Sequence, residues 1–154
     1  MPHDTILIVE DDDDDVMLIR RAFKQSKIMN NLRFIADGQT AIDYLAGHGE
    51  HADRKAFPLP ILILLDLKLP RKSGLEVLAW MKEQSLLKRI PVVILTSSKE
   101  NKDVNRAYDF GVNSYLLKPV DFSQLSEIVK HVHLYWILTN TNPDISEPAS
   151  RQSG

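Results

Sequence analysis

The chain has 154 residues, no cysteine and a formal charge of -2, from 19 lysines and arginines against 21 aspartates and glutamates. That length suits one domain with an adequate core; the lack of cysteine excludes disulfides, thiol catalysis and thiolate metal sites. With no basic run there is no positive stripe for DNA or RNA, and with no apolar stretch of membrane-spanning length and no leader-like start in MPHDTILIVEDD, a cytoplasmic protein is expected.

Thr5 to Val9 (TILIV) reads as an apolar strand, followed by Glu10 and the aspartates Asp11 to Asp15. The spacing Val16, Ile19, Phe23 then predicts an amphipathic helix to about Ser26. For Asp13, Asp14 and Asp15 a structural role suffices, because acidic residues in a first turn complement the helix dipole and cap free amides. Leu32 to Ala36 is a short strand, and Asp37-Gly38 turns into a helix carrying Ala41, Ile42 and Leu45. Gly47 to Pro60 is a long polar loop whose two histidines, His48 and His51, read as surface residues.

From Pro60 to Gly74 comes the stretch the chain is organised around, PILILLDLKLPRKSG. Ile61 to Leu65 run without a polar break into Asp66, the pattern of a central parallel strand buried on both faces. Ser73 or Gly74 opens a helix bearing Leu75, Val77, Leu78 and Met81. Pro91 to Leu95 is the next strand, ending in Thr96, Ser97 and Ser98, and Lys99 to Phe110 a weakly apolar helix stopped at Gly111. Ser114 to Leu117 precedes Lys118-Pro119, and Asp121 or Ser123 caps a last helix through about Leu138. A β-α alternation repeated five times predicts an α/β fold, a doubly wound five-stranded parallel sheet with five helices. Residues 1–139 form the expected domain; 140–154, rich in Ser, Pro, Asn and Thr, are expected as a disordered tail.

Ligands of open α/β sheets bind at the carboxyl ends of the strands. There the order of elements collects Glu10 and Asp11, Asp66, Thr96 and Lys118. Carboxylates so gathered repel unless a cation neutralises them, and Mg²⁺ is the expected one, since it takes oxygen ligands and bridges carboxylates to phosphoryl groups. A carboxylate nucleophile, a hard metal, a hydroxyl and a lysine fit phosphoryl transfer to Asp66.

ILIVEDD (Ile6 to Asp12), LLDLKLPRKSG (Leu64 to Gly74), VVILTSS (Val92 to Ser98) and FGVNSYLLKP (Phe110 to Pro119) resemble the receiver domains of two-component response regulators, over about Thr5 to Val132. The resemblance implies a flavodoxin-like receiver fold with Asp66 as phosphoacceptor. It also implies metal ligation by Glu10, Asp11, Asp66 and the backbone carbonyl of Lys68, with Asp12 in reserve because the aspartate run leaves the pair open. Thr96 and Lys118 would bind the phosphoryl group, Tyr115 would be the aromatic switch, and Pro119 would follow a cis peptide. The protein would then be a phosphoacceptor with self-dephosphorylation, not a turnover enzyme, served by a sensor histidine kinase. More narrowly, the Gly47 to Pro60 insert, RIPVVILTSS and the extended last helix with Leu134-Tyr135-Trp136 resemble single-domain regulators paired with bacterial, cyanobacterial-type phytochrome kinases.

Two other classes fit less well. A phosphatase of the haloacid dehalogenase type would need an acidic residue two places after its nucleophile, where Lys68 stands. A docking module that is never phosphorylated would not need the full set of acceptor, acidic pair, hydroxyl and lysine. Leu134 to Leu138 are apolar on every side of the helix, which points to homodimerisation through that end or to packing on the chain's own surface.

Overall fold

The computed structural model describes residues 4–139 and 141–145. Strands β1 (Thr5–Val9), β3 (Leu62–Leu65) and β4 (Val92–Thr96) are buried along their whole length, as their unbroken apolar runs require, whereas β2 (Asn31–Ile35) and β5 (Ser114–Leu117) are partly exposed edges. All pair in parallel in the order β2-β1-β3-β4-β5. This is the flavodoxin-like winding, with its topological switch between β1 and β3.

The alternation along each strand divides the core into two layers. Ile6, Ile8, Leu62, Leu64, Val93 and Leu95 face α1 (Asp13–Gln25) and α5 (Phe122–Val132), which supply Ile19, Phe23, Leu125 and Val129. Leu7, Val9, Ile63, Leu65 and Ile94 face α2 (Gly38–Ala46), α3 (Gly74–Lys82) and α4 (Asn101–Asp109), which supply Tyr44, Leu45, Val77, Met81 and Ala107.

Helix starts follow local chemistry. Asp12, Asp37 and Asp121 accept the backbone N–H three residues on, and Ser73 with Glu76 forms a reciprocal capping box. Helix α1 thus begins at Asp13, ahead of the apolar periodicity that suggested Val16, because the aspartates themselves form its first turn. Helix α5 ends at Val132, and His133–Thr139 continue in a wider π-helical winding. There Trp136 and Ile137 pack on the core while Leu134, Tyr135 and Leu138 stay exposed.

The insert after α2 is ordered by one half-buried cation, Arg54. Arg54 donates from Nη1 to the Tyr44 carbonyl at 2.7 Å and from Nη2 to that of Leu45 at 2.8 Å, closing the end of the helix. His51 is not a surface residue: it packs between Tyr44 and Phe57, at ring distances of 5.3 and 4.8 Å, with 12% of its side chain exposed. His48 is exposed as expected. Of the expected tail, 141–144 are exposed, yet Arg89 donates to the Asp144 carbonyl at 2.8 Å and Ile145 touches the α2–α3 layer; 140 and 146–154 lie outside the described residues.

Candidate functional site

Parallel pairing brings the strand ends level. Val9 pairs with Leu65, Leu65 with Ile94 and Thr96 with Leu117, so Glu10, Asp66, Thr96 and Lys118 share one edge. Backbone bonds fix the frame: the Asp66 N–H donates to the Val9 carbonyl at 3.1 Å and the Lys118 N–H to that of Thr96 at 2.8 Å. A cleft of about 540 Å³ opens there, lined by the acidic run from Glu10 to Asp15 with Asp66, Lys68, Ser97 and Lys118.

Asp66 is only 6% exposed. Its Oδ1 accepts the Lys68 N–H at 3.3 Å and its Oδ2 accepts from Lys118 Nζ at 2.9 Å. Glu10 is also buried, accepting the Asp12 N–H at 3.2 Å through Oε2 and pairing with Lys118 Nζ at 2.5 Å through Oε1. Burial, reinforced by the neighbouring Asp66 charge, pushes the Glu10 carboxyl up to about 7 despite its Lys118 bond. Burial disfavours the Lys118 ammonium too, but hydrogen bonds to Asp15, Glu10 and Asp66 outweigh it and hold its pKa above the ordinary lysine value.

Glu10, Asp11 and Asp66 offer carboxylate oxygens that all lie within 4.8 Å of one another, the group of the described residues fitted to a metal ion. The chemistry of these donors suits a hard divalent cation: all are oxygens, and one ammonium is shared among several carboxylates. Asp12 stands outside this group, its Oδ1 taken by the Asp15 N–H at 3.0 Å as the cap of α1.

Thr96 is 0% exposed at the end of β4, and its Oγ1 accepts the Ser98 N–H at 3.4 Å. Ser98 in turn donates its hydroxyl to Asp103 Oδ2 at 2.6 Å, and its carbonyl accepts the Tyr115 hydroxyl at 2.9 Å. Thr96 and Tyr115 are therefore linked through one residue, Ser98. Burial raises the Tyr115 phenol above its usual value.

Two features escaped the sequence reading. Asp15, assigned there to the helix dipole, places Oδ2 2.8 Å from Lys118 Nζ, a contact between residues far apart in sequence that no local spacing signals. The Ser98–Asp103 bond had no signal. The bond before Pro119 is trans, against the cis joint expected there: the described residues contain no cis peptide. Lys118 is aimed instead by its carboxylates and by its backbone bond to Thr96.

Residues 6–130 match the family described as response regulator receiver domain. The chain belongs to that family. This receiver is 43% identical over 138 residues to the probable methanogenesis regulatory protein FilR2 of Methanothrix harundinacea, covering 90% of this chain and 86% of that one. It is 42% identical over 142 residues to response regulator Rcp1 of Synechocystis sp., covering 92% and 95%; the Mn²⁺-bound structure of Rcp1 superposes with a TM-score of 0.82. The phosphorylated cyanobacterial phytochrome response regulator RcpA is 42% identical, with a TM-score of 0.85 over 92% of this receiver and 99% of that chain.

Proposed function

We propose that this receiver accepts a phosphoryl group on Asp66 from the phosphohistidine of a sensor histidine kinase and relays the signal by contact. The observation that carries the reading is the placement of the Asp66 carboxylate, within 4.8 Å of Glu10 and Asp11 oxygens and 2.9 Å from Lys118 Nζ. Glu10, Asp11, Asp66 and the backbone carbonyl of Lys68 would hold Mg²⁺, whose chemistry there is to offset phosphoryl charge. An Asp66 oxygen attacks phosphorus in line, the new O–P bond forming as the donor's P–N bond breaks and imidazole departs. Lys118 donates to one phosphoryl oxygen and the Thr96 hydroxyl to another. Hydrolysis by water returns Asp66 to the free carboxylate.

Formation of the acyl phosphate draws the Thr96 hydroxyl toward the cleft. Through Ser98 that movement reaches the Tyr115 hydroxyl and the start of α4. Likeness to Rcp1 and RcpA supports a phytochrome as the kinase partner, with light the stimulus. The exposed Leu134, Tyr135 and Leu138 support homodimerisation through the end of the last helix. No helix among the described residues is long and apolar enough to cross a membrane, and the reading places the protein in the cytoplasm, with neither DNA nor lipid as its partner.

Incubation with phosphoramidate and Mg²⁺ tests the acceptor: intact-mass measurement should show one phosphoryl group on the wild type and none on Asp66→Asn. Equal gain by both would reject Asp66. Light scattering should show Tyr135→Glu/Leu138→Glu as monomer where the wild type is a dimer, and an unchanged mass would remove that surface from the interface.

A further inference from the structure

The three carboxylates that share the Lys118 ammonium are not equivalent. Nζ lies 2.5 Å from Glu10 Oε1, 2.8 Å from Asp15 Oδ2 and 2.9 Å from Asp66 Oδ2, one acceptor for each of its N–H bonds. Glu10 and Asp66 also belong to the trio suited to a cation, and Asp15 does not. A cation drawn to that trio competes with Lys118 for Glu10 and Asp66. Phosphorylation further converts the free Asp66 carboxylate into an acyl phosphate. The bond to Asp15 is the one that neither event consumes.

Asp15 is also held independently of the reaction. It lies in the first turn of α1, where its N–H donates to Asp12 Oδ1 at 3.0 Å, on a helix that packs into the same core layer as α5. Its side chain is 34% exposed and that of Lys118 17%, so the pair is partly shielded from solvent. Asp13 and Asp14 carry the same charge in the same turn, and the dipole explanation would treat all alike.

We infer that Asp15 is a positioning residue for phosphoryl transfer: it anchors the Lys118 ammonium beside the acceptor when Glu10 and Asp66 turn to the cation and the phosphoryl group. The inference rests on Asp66 being the phosphoacceptor. A competing role is readily distinguished, because an Asp15 that merely drew Lys118 away would slow the transfer, and its removal would speed it.

The test is the rate of phosphoryl incorporation from phosphoramidate at saturating Mg²⁺, followed by intact mass. Asp15→Asn should lower the rate about three- to fivefold, the scale of a partly exposed ion pair expressed in a barrier, while calorimetry gives an unchanged Mg²⁺ affinity. Asp15→Glu should recover most of the rate. Asp14→Asn, which removes the same dipole charge from a side chain outside the Glu10, Asp15 and Asp66 set paired with Lys118, should slow incorporation less than Asp15→Asn does. An equal or faster rate for Asp15→Asn, or equal slowing by Asp14→Asn, would overturn the inference. A wild type that incorporates nothing would overturn the acceptor assignment as well; normal wild-type incorporation with an unaffected Asp15→Asn would overturn the anchor alone.

Discussion

A single methyl group on Gly74 probes how closely α3 must approach the acceptor strand. A Cβ at that position would fall 2.2 Å from the Asp66 carbonyl oxygen, 2.7 Å from Leu67 Cα and 3.0 Å from the Asp66 carbonyl carbon. Ordinary contact begins at 3.4 Å, so about 1.2 Å (3.4 less 2.2) must be absorbed. Every one of those atoms is backbone, and the Gly74 N–H donates to the Leu67 carbonyl at 2.9 Å, so no flexible side chain can yield. Overpacking of this kind costs about 1–3 kcal/mol. A displacement of about 1 Å at a reacting group can cost on the order of 100-fold in rate. Gly74→Ala should therefore lower the urea midpoint with an unchanged slope and cut phosphoryl incorporation far more than the lost stability explains, since the protein remains mostly folded at 25 °C. Gly38→Ala meets the Lys72 carbonyl oxygen at 2.0 Å, a comparable clash away from Asp66; it should destabilise with a smaller effect on rate. Wild-type stability and rate for Gly74→Ala would refute the close-approach argument.

Three further outcomes are expected. Arg54→Ala should cost roughly 2–4 kcal/mol in urea unfolding, because the Tyr44 and Leu45 carbonyls lose two charge-assisted bonds from a half-buried guanidinium; a loss below experimental error would mean the insert is not fastened to α2 through Arg54. The Asp37 carboxyl resists burial through bonds from the Thr40 N–H and hydroxyl and the nearby Arg71, so its folded-state pKa lies below the ordinary 3.8. A depressed acid contributes stability that is present above 3.8 and lost as pH falls through the folded-state value; Asp37→Ala should be about 1 kcal/mol less stable at neutral pH, with the gap narrowing in acid, and a pH-independent gap would contradict this. Lys68→Asn, changing an exposed side chain at the mouth of the cleft, should alter the lifetime of phosphorylated Asp66 with little change in Mg²⁺ affinity; an unchanged decay rate in a phosphate-release assay would count against it.

The central strands were legible because TILIV, ILILL and PVVIL carry no charge and are apolar at every position but Thr5, the run expected of a strand covered on both faces. Their order then placed Glu10, Asp66, Thr96 and Lys118 on one edge before any side chain was seen. The first turn of α1 was hidden because aspartates carry no apolar periodicity and their capping is a matter of geometry. The pairing of Asp15 with Lys118 spans 103 residues, and no local pattern encodes such a contact. The fate of the last apolar stretch was also invisible, since an ideal helix and a π-helical winding send different residues to the core; the second packs Trp136 and Ile137, partly buried, against it and leaves Leu134, Tyr135 and Leu138 outside. His51 looked like a loop residue until the Arg54 bonds folded the insert over Tyr44.

The most direct measurement is a crystal structure of the receiver with Mg²⁺ and beryllium fluoride, a stable mimic of the acyl phosphate. The account predicts the fluoride group on an Asp66 oxygen, Mg²⁺ held by Glu10, Asp11 and Asp66, and Lys118 turned onto a fluorine. A vacant Asp66, with Lys118 still bonded to Glu10, Asp15 and Asp66 under those conditions, would contradict it.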